Sequence, residues 1–198
     1  MSATTKEILD KDSIVAFIGD IFNRRGAESY LGEQVTMSEH MLQGAQLAQM
    51  AGAPDTMVAG ALLHDIGHYT NEFPEDALEQ GTDTLHEEAG AVVLDPFFPS
   101  AVTDCIRWHV AAKRYLCAID PGYFGRLSSA SVHTLNLQGG MMDADEVEDF
   151  AKHPNLEAIL QVRIWDDEAK VKNMPTPAFE HYAALLQRVV DAHVVGAS

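Results

Sequence analysis

Leu62-Leu63-His64-Asp65-Ile66-Gly67-His68 places an adjacent His-Asp pair at the end of an apolar run. Neighbouring side chains on a helix diverge by about 100°, so both can serve one metal site only from a buried helix end that faces a cavity. The run leading in, through Met57, Val58, Ala61 and Leu62, has helical spacing and starts at Pro54-Asp55. It predicts a helix ending around Gly67, with His64 and Asp65 in its last turns. Taken alone, the dipeptide is a weak signal.

Outward from this stretch the chain reads as a series of helices, with almost no alternating runs, and the predicted class is all-α. A first helix is predicted over Lys6 to Asn23, with Leu9, Ile14, Ile18 and Phe22 toward the core and Arg24-Arg25-Gly26 at its end. Ser38 is the candidate N-cap of a helix running to about Ala51, with His40 in its first turn. Thr84 is the candidate cap of a helix carrying His86 and Gly90, and Ser100 opens one carrying Trp108 and His109. Further helices are predicted over Ser128–Asn136, Ala144–Lys152, Asn155–Trp165 and Pro177–His193.

At 198 residues and 46% hydrophobic composition, one compact domain over residues 1–198 is expected. No apolar stretch approaches the roughly 20 residues of a membrane span, and the N-terminus lacks a signal peptide's order of charge and apolarity. Cys105 and Cys117 belong to no CxxC pair and read as ordinary thiols, so the expected location is the cytoplasm. A net charge of -17 argues against nucleic acid or an anionic membrane as partner. An anionic small molecule would need a local nest of positive charge.

The His-Asp pair gains weight from isolated residues on other predicted helices: His40 before it, then His86, His109 and Asp166 after it. Helical bundles build metal sites from inward-pointing His and carboxylate side chains on several helices. Four histidines and two aspartates, with no thiolate, suit iron, manganese or zinc. A lone histidine is more often a surface or hydrogen-bonded core residue than a ligand, and His133, His153, His181 and His193 keep that reading. His68 lies four residues after His64, Lys113 four after His109, and Arg163 three before Asp166, each about one helical turn from a candidate ligand. Together they would supply the positive nest.

In these residues the chain resembles the HD-domain mixed-valence diiron oxygenases, in particular the organophosphonate-cleaving branch, and more distantly the myo-inositol oxygenases. The matching stretches are Tyr30-Leu31-Gly32-Glu33, Glu39-His40, Leu62 to Tyr69, His86-Glu87, His109 to Tyr115, Leu127 to Ser131, Gln138-Gly139-Gly140 and Arg163 to Asp166. They lie within residues 30–166, and His109-Val110-Ala111-Ala112-Lys113-Arg114-Tyr115 is much more selective than the His-Asp pair. The resemblance implies one iron on His40, His64, Asp65 and Asp166 and a second on Asp65, His86 and His109, bridged by Asp65. It implies phosphonate contacts from His68, Lys113, Ser131 and Arg163, with Gln138 helping to close the pocket. It also implies a mobile lid in which Tyr30 holds an iron position until substrate arrives and Glu33 meets a cationic amine. Tyr30, Glu33 and Lys113 would then act on bound substrate.

The implied reaction is oxygen-dependent cleavage of the carbon-phosphorus bond of a small 1-hydroxyphosphonate, with two irons as cofactor and O2 as co-substrate. The trimethylammonium compound, giving glycine betaine, is favoured over the primary amine, giving glycine. The ground is the aromatic set Tyr30, Tyr69, Phe73 and Tyr115 beside Glu33, because a quaternary ammonium seeks aromatic faces and a carboxylate. Two rivals use the same ligand types: an HD phosphohydrolase, separated by oxygen dependence, and a non-catalytic HD sensor, separated by an incomplete ligand set or an attached output domain. The sequence does not set an oligomeric state.

Overall fold

The computed structural model describes residues 9–30, 32–72 and 86–196. Within them run α1 (Ile14–Arg25), α2 (Met37–Met50), α3 (Asp55–Leu63), α4 (His86–Leu94), α5 (Ser100–Ile119), α6 (Ser129–Leu137), α7 (Ala144–Phe150), α8 (Leu156–Glu168) and α9 (Phe179–Gly196). Short 3-10 stretches occupy Ile66–Glu72 and Phe124–Arg126. No strand occurs among the described residues, only the isolated bridge between Ser29 and Thr36. The protein is all-α, as its periodicity requires, and no described helix is long and apolar enough to cross a membrane.

Helix α5 packs against α8, α4 and α3, and α2 closes the group by lying on α3 and α8. Its buried stripe runs Val102, Cys105, Ile106, His109, Ala112, Lys113, so two functional positions continue an apolar face at helical spacing. On α8 the same holds for Ile159, Val162, Arg163 and Asp166. One hydrophobic cluster includes Ile14 and Ile18 of α1, Leu62 of α3, Ile106 of α5, Val162 of α8 and Leu186 of α9. The metal-type residues therefore sit inside the core that holds the helices together.

Several expected boundaries move. Helix α1 starts at Ile14, because the Asp10 carboxylate accepts from the backbone N–H groups of Asp12 and Ser13 and from the Ser13 hydroxyl, which makes residues 10–13 a turn. Leu9 still packs against the core, while Lys6 and Ile8 lie outside the described residues. The cap of α2 is Thr36 rather than Ser38: Thr36 Oγ1 accepts from Glu39 N–H at 3.2 Å and Glu39 Oε2 accepts from Thr36 N–H at 2.7 Å. That reciprocal box satisfies two otherwise orphaned N–H groups, which Ser38 cannot do without a matching acid. The expected Thr84 cap lies outside the described residues. Helix α8 runs on to Glu168, which brings Asp166 within it.

The most consequential difference is at α3, which stops at Leu63, with His64 as C-cap and a 3-10 stretch from Ile66. Gly67 and Gly90 are the reason this works. A Cβ on Gly67 would overlap the His86 carbonyl oxygen, and one on Gly90 would meet the Gly67 nitrogen at 2.9 Å. The two glycines let the segment after Asp65 press backbone to backbone on α4, and that contact carries His86 to the end of α3.

Candidate metal centre

Asp65 occupies the middle of the site with its two carboxylate oxygens facing different partners. Its Oδ2 lies 3.5 Å from both His40 Nε2 and His64 Nε2. Its Oδ1 lies 3.4 Å from His109 Nε2, 3.7 Å from His86 Nε2 and 4.0 Å from His68 Nε2. Asp166 Oδ1 joins the first group at 3.3 Å from His40 Nε2 and 3.9 Å from His64 Nε2. The sequence-predicted ligands thus assemble into two groups that share Asp65.

The orientation of the rings comes from their other nitrogens. His40 Nδ1 lies 2.9 Å from the Ala169 carbonyl, His64 Nδ1 2.8 Å from that of Ala61, and His109 Nδ1 2.8 Å from that of Ile106. A carbonyl can only accept, so each Nδ1 is the protonated nitrogen and each Nε2 is turned inward. His86 Nδ1 lies 3.1 Å from Glu87 Oε2, an ion-pair distance without hydrogen-bond geometry, so this ring is not fixed in the same way.

This arrangement fits metal. His40 Nε2 and His64 Nε2 are 2.9 Å apart with both Nδ1 protons already donated, so their facing lone pairs need either one shared proton or a cation. No well-formed hydrogen bond ends on the buried Asp65 Oδ2 or Asp166 Oδ1. Burial disfavours charge on His40, but Asp166 and Asp65 outweigh it and raise its pKa to about 9, while burial lowers His64 and keeps it neutral. Burial likewise takes His109 down to about 3. With a cation in place of the proton that His40 otherwise carries, imidazole nitrogens and ionised carboxylates form a borderline N/O donor set without thiolate. His40, His64 and Asp65 form one metal-competent group, and Asp65, His68 and His86 form a second, in which His68 takes the place expected for His109.

A cavity of about 60 Å³ opens against this centre. It is lined by Asp65, His86, His109 and Asp166 together with Tyr30, Glu33, His68, Lys113, Ser131, Gln138 and Arg163. His40 and His64 are buried behind it. A larger apolar groove of about 570 Å³ between Asp55, Pro99 and Val189 holds only the Arg188–Asp55 pair as an ion pair, so size does not mark the site here.

The lysine- and arginine-lined end of the cavity is built on α6, whose N-cap Ser128 accepts from Ser131 N–H. Lys113 Nζ donates to Thr134 Oγ1 at 2.8 Å, and burial, with Arg163 nearby, lowers the Lys113 pKa to about 8. Arg163 sends Nη1 to Asp166 Oδ2 at 2.7 Å and pairs with Asp167 through Nη2 and Nε; Tyr123 also donates to Asp167. The Tyr30 ring stacks on His40 with centroids 4.1 Å apart, and Glu33 Oε1 accepts from the Ser128 hydroxyl at 2.5 Å. Gln138 lines the cavity with an amide oxygen that makes no hydrogen bond.

Sequence reasoning missed Lys170, Thr134 and the Tyr123–Asp167 support. Lys170 lies four residues after Asp166, the spacing that pointed to His68 and Lys113, so its signal was present. The aromatic expectation needs correction. Tyr69 is fully buried beneath the Arg25 guanidinium with its hydroxyl on the Arg25 carbonyl, Tyr115 packs on Phe150, and Phe73 lies outside the described residues. Of the three described, only Tyr30 lines the cavity. His153 packs on Trp108, His181 lies by Gln49 and Tyr182, and His133 is exposed, all away from the centre.

The HD-domain family model matches residues 37–148. The chain belongs to the HD-domain family. This HD protein is 56% identical over 194 residues to the 1-hydroxy-2-(trimethylamino)ethylphosphonate dioxygenase (glycine-betaine-forming) of Leisingera caerulea, covering 98% of this chain and 99% of the relative. It is also 43% identical over 156 residues, 78% of each chain, to the hydroxymethylphosphonate dioxygenase of Gimesia maris. The names of these two relatives carry the oxygenase and phosphonate expectations.

Proposed function

We propose that this protein is an oxygen-dependent phosphonate-cleaving enzyme that converts 1-hydroxy-2-(trimethylammonio)ethylphosphonate to glycine betaine and phosphate. Substrate plus one O2 equals those two products in atoms and electrons: the carbon-phosphorus bond breaks, C1 gains one oxygen and phosphorus the other. The observation that carries the reading is the joining of a His/Asp cluster in two metal-competent groups to a cavity wall of cations, on a chain 56% identical to a dioxygenase of this substrate class. We read residues 1–198 as one HD-type domain working in the cytoplasm, where its two free thiols remain reduced.

His40, His64, Asp65 and Asp166 would hold one iron, and Asp65, His86 and His109 the other. Iron is preferred because activating O2 requires a redox metal, which zinc is not. When bound, the metal pair supplies the oxidation of C1.

The chain's own residues bind and orient. Lys113, Arg163, His68 and Ser131 neutralise the phosphonate and fix its direction, which holds C1 beside the metals. Gln138 offers its unused amide to the substrate, and Glu33 offers its carboxylate to the ammonium. About 60 Å³ is roughly two water volumes, several times too little for an eleven-heavy-atom substrate. Entry therefore requires Tyr30 to leave its stack on His40 and Glu33 to release Ser128, after which the segment excludes water by closing again.

The test is phosphate release by iron-loaded protein from the trimethylammonium compound, its primary-amine analogue and hydroxymethylphosphonate, with and without O2. Oxygen-dependent release fastest on the trimethylammonium compound is the expected result. Equal release without O2 would make the protein a phosphohydrolase, and release from none of the three would sink the substrate class.

A further inference from the structure

Two lysines, one on α5 and one just past α8, reach the same face of α6. Lys113 of α5 donates to Thr134 Oγ1 at 2.8 Å, and Lys170, just past α8, donates to Ser131 Oγ at 3.2 Å. Ser131 and Thr134 are three residues apart on one face of α6, so the two lysine-hydroxyl pairs form adjacent walls of the same cavity, which both lysines line.

The Lys170 side chain is only 9% exposed, and its ammonium lies 3.4 Å from Asp166 Oδ1 and 3.6 Å from Asp167 Oδ1. It adds counter-charge to Asp166, whose Oδ1 accepts no hydrogen bond, but counter-charge alone does not set where its own hydrogen bond goes. Arg163 already pairs with both, and Tyr123 donates to Asp167. Lys170 places its hydrogen bond on a neutral hydroxyl instead. An ammonium has three donors, and one hydrogen bond leaves the others for an anionic oxygen at the cavity.

The backbone on either side of Lys170 is held by α2. Gln43, itself fully buried, donates Nε2–H to the Val171 carbonyl at 2.9 Å and accepts Val171 N–H on Oε1 at 3.0 Å. His40, three residues before Gln43, holds the Ala169 carbonyl. A metal-type ligand and an amide clamp on one helix face thus bracket a single lysine.

We propose that Lys170 is a further phosphonate-binding residue, matched to Lys113 across Ser131 and Thr134, and that Gln43 is its positioning residue. The inference rests on the phosphonate reading above, and its test separates the two. Inorganic phosphate is titrated calorimetrically into iron-loaded wild type, Lys170→Gln, Lys170→Arg and Gln43→Leu, with metal content and thermal midpoint measured on each, and the KM for the phosphonate is measured in parallel. Lys170→Gln is expected to weaken phosphate binding and raise KM roughly tenfold to a hundredfold, with metal content kept. Lys170→Arg should recover part of the loss, and Gln43→Leu should reproduce part of it. Unchanged phosphate affinity in Lys170→Gln would overturn the proposal, and so would loss of metal in step with affinity, which would make Lys170 a support of Asp166. Wild-type inactivity on every phosphonate would instead remove the functional reading.

Discussion

At the metal end of the cavity His40, His64 and His109 are each aimed by a main-chain carbonyl, whereas at the anion end Lys113 and Lys170 each hold a side-chain hydroxyl. The Ala61 and Ile106 carbonyls lie inside helices and cannot move without unwinding a turn, and the Ala169 carbonyl sits at the C-cap of α8. A serine or threonine hydroxyl can rotate away at little cost. The first end is thus suited to an ion that stays bound, and the second to an anion that arrives and leaves in every turnover.

The sharpest way to break this comparison is at its shared residue. Asp65→Ala removes the carboxylate that faces both ligand groups, and activity is expected to fall on the order of a thousandfold or more, with bound metal dropping below two per chain by elemental analysis. Retention of both metals would show that Asp65 does not bridge. Arg163→Ala tests where the two ends meet. It leaves the buried Asp166 and the partly buried Asp167 without their main cation, and a loss of about 3–5 kcal/mol in stability is expected, read from denaturant midpoints.

Lys113→Gln probes the anion end alone. An increase of roughly tenfold to a hundredfold in KM is expected with metal content unchanged. The same lysine sets a pH dependence. Burial brings its pKa to about 8, so kcat/KM should hold below that pH and fall above it as the neutral amine loses the anion. Lys113→Arg should carry that fall to higher pH, and an unmoved profile would assign the titration to another group. The smallest effect is expected at the lid. Glu33 is half-buried, and Glu33→Gln should cost roughly twofold to fivefold on the trimethylammonium substrate and nothing on hydroxymethylphosphonate.

Much of the site was legible because its residues are rare types at helical spacings. A buried His, Lys or Arg on an apolar stripe, such as His109, Lys113 or Arg163, is costly without a partner, so several together point to a common purpose. The aromatic argument failed for a related reason. Tyr69 and Tyr115 are apolar enough to be explained by the core alone, and nearness in sequence to a ligand says little about which side of a helix a ring occupies. Lys170 was passed over although it carries the four-residue spacing, because a lysine near a helix end is ordinarily solvated.

The sequence by itself determined the helical class, the ligand types and the sign of charge beside them, since periodicity and side-chain chemistry are local properties. Only the tertiary structure decided that α3 stops at Leu63, that Gly67 against Gly90 brings His86 to Asp65, and that Gln43 sets Lys170 against Ser131. Those outcomes depend on backbone contacts between segments far apart in the chain, and no local spacing encodes them.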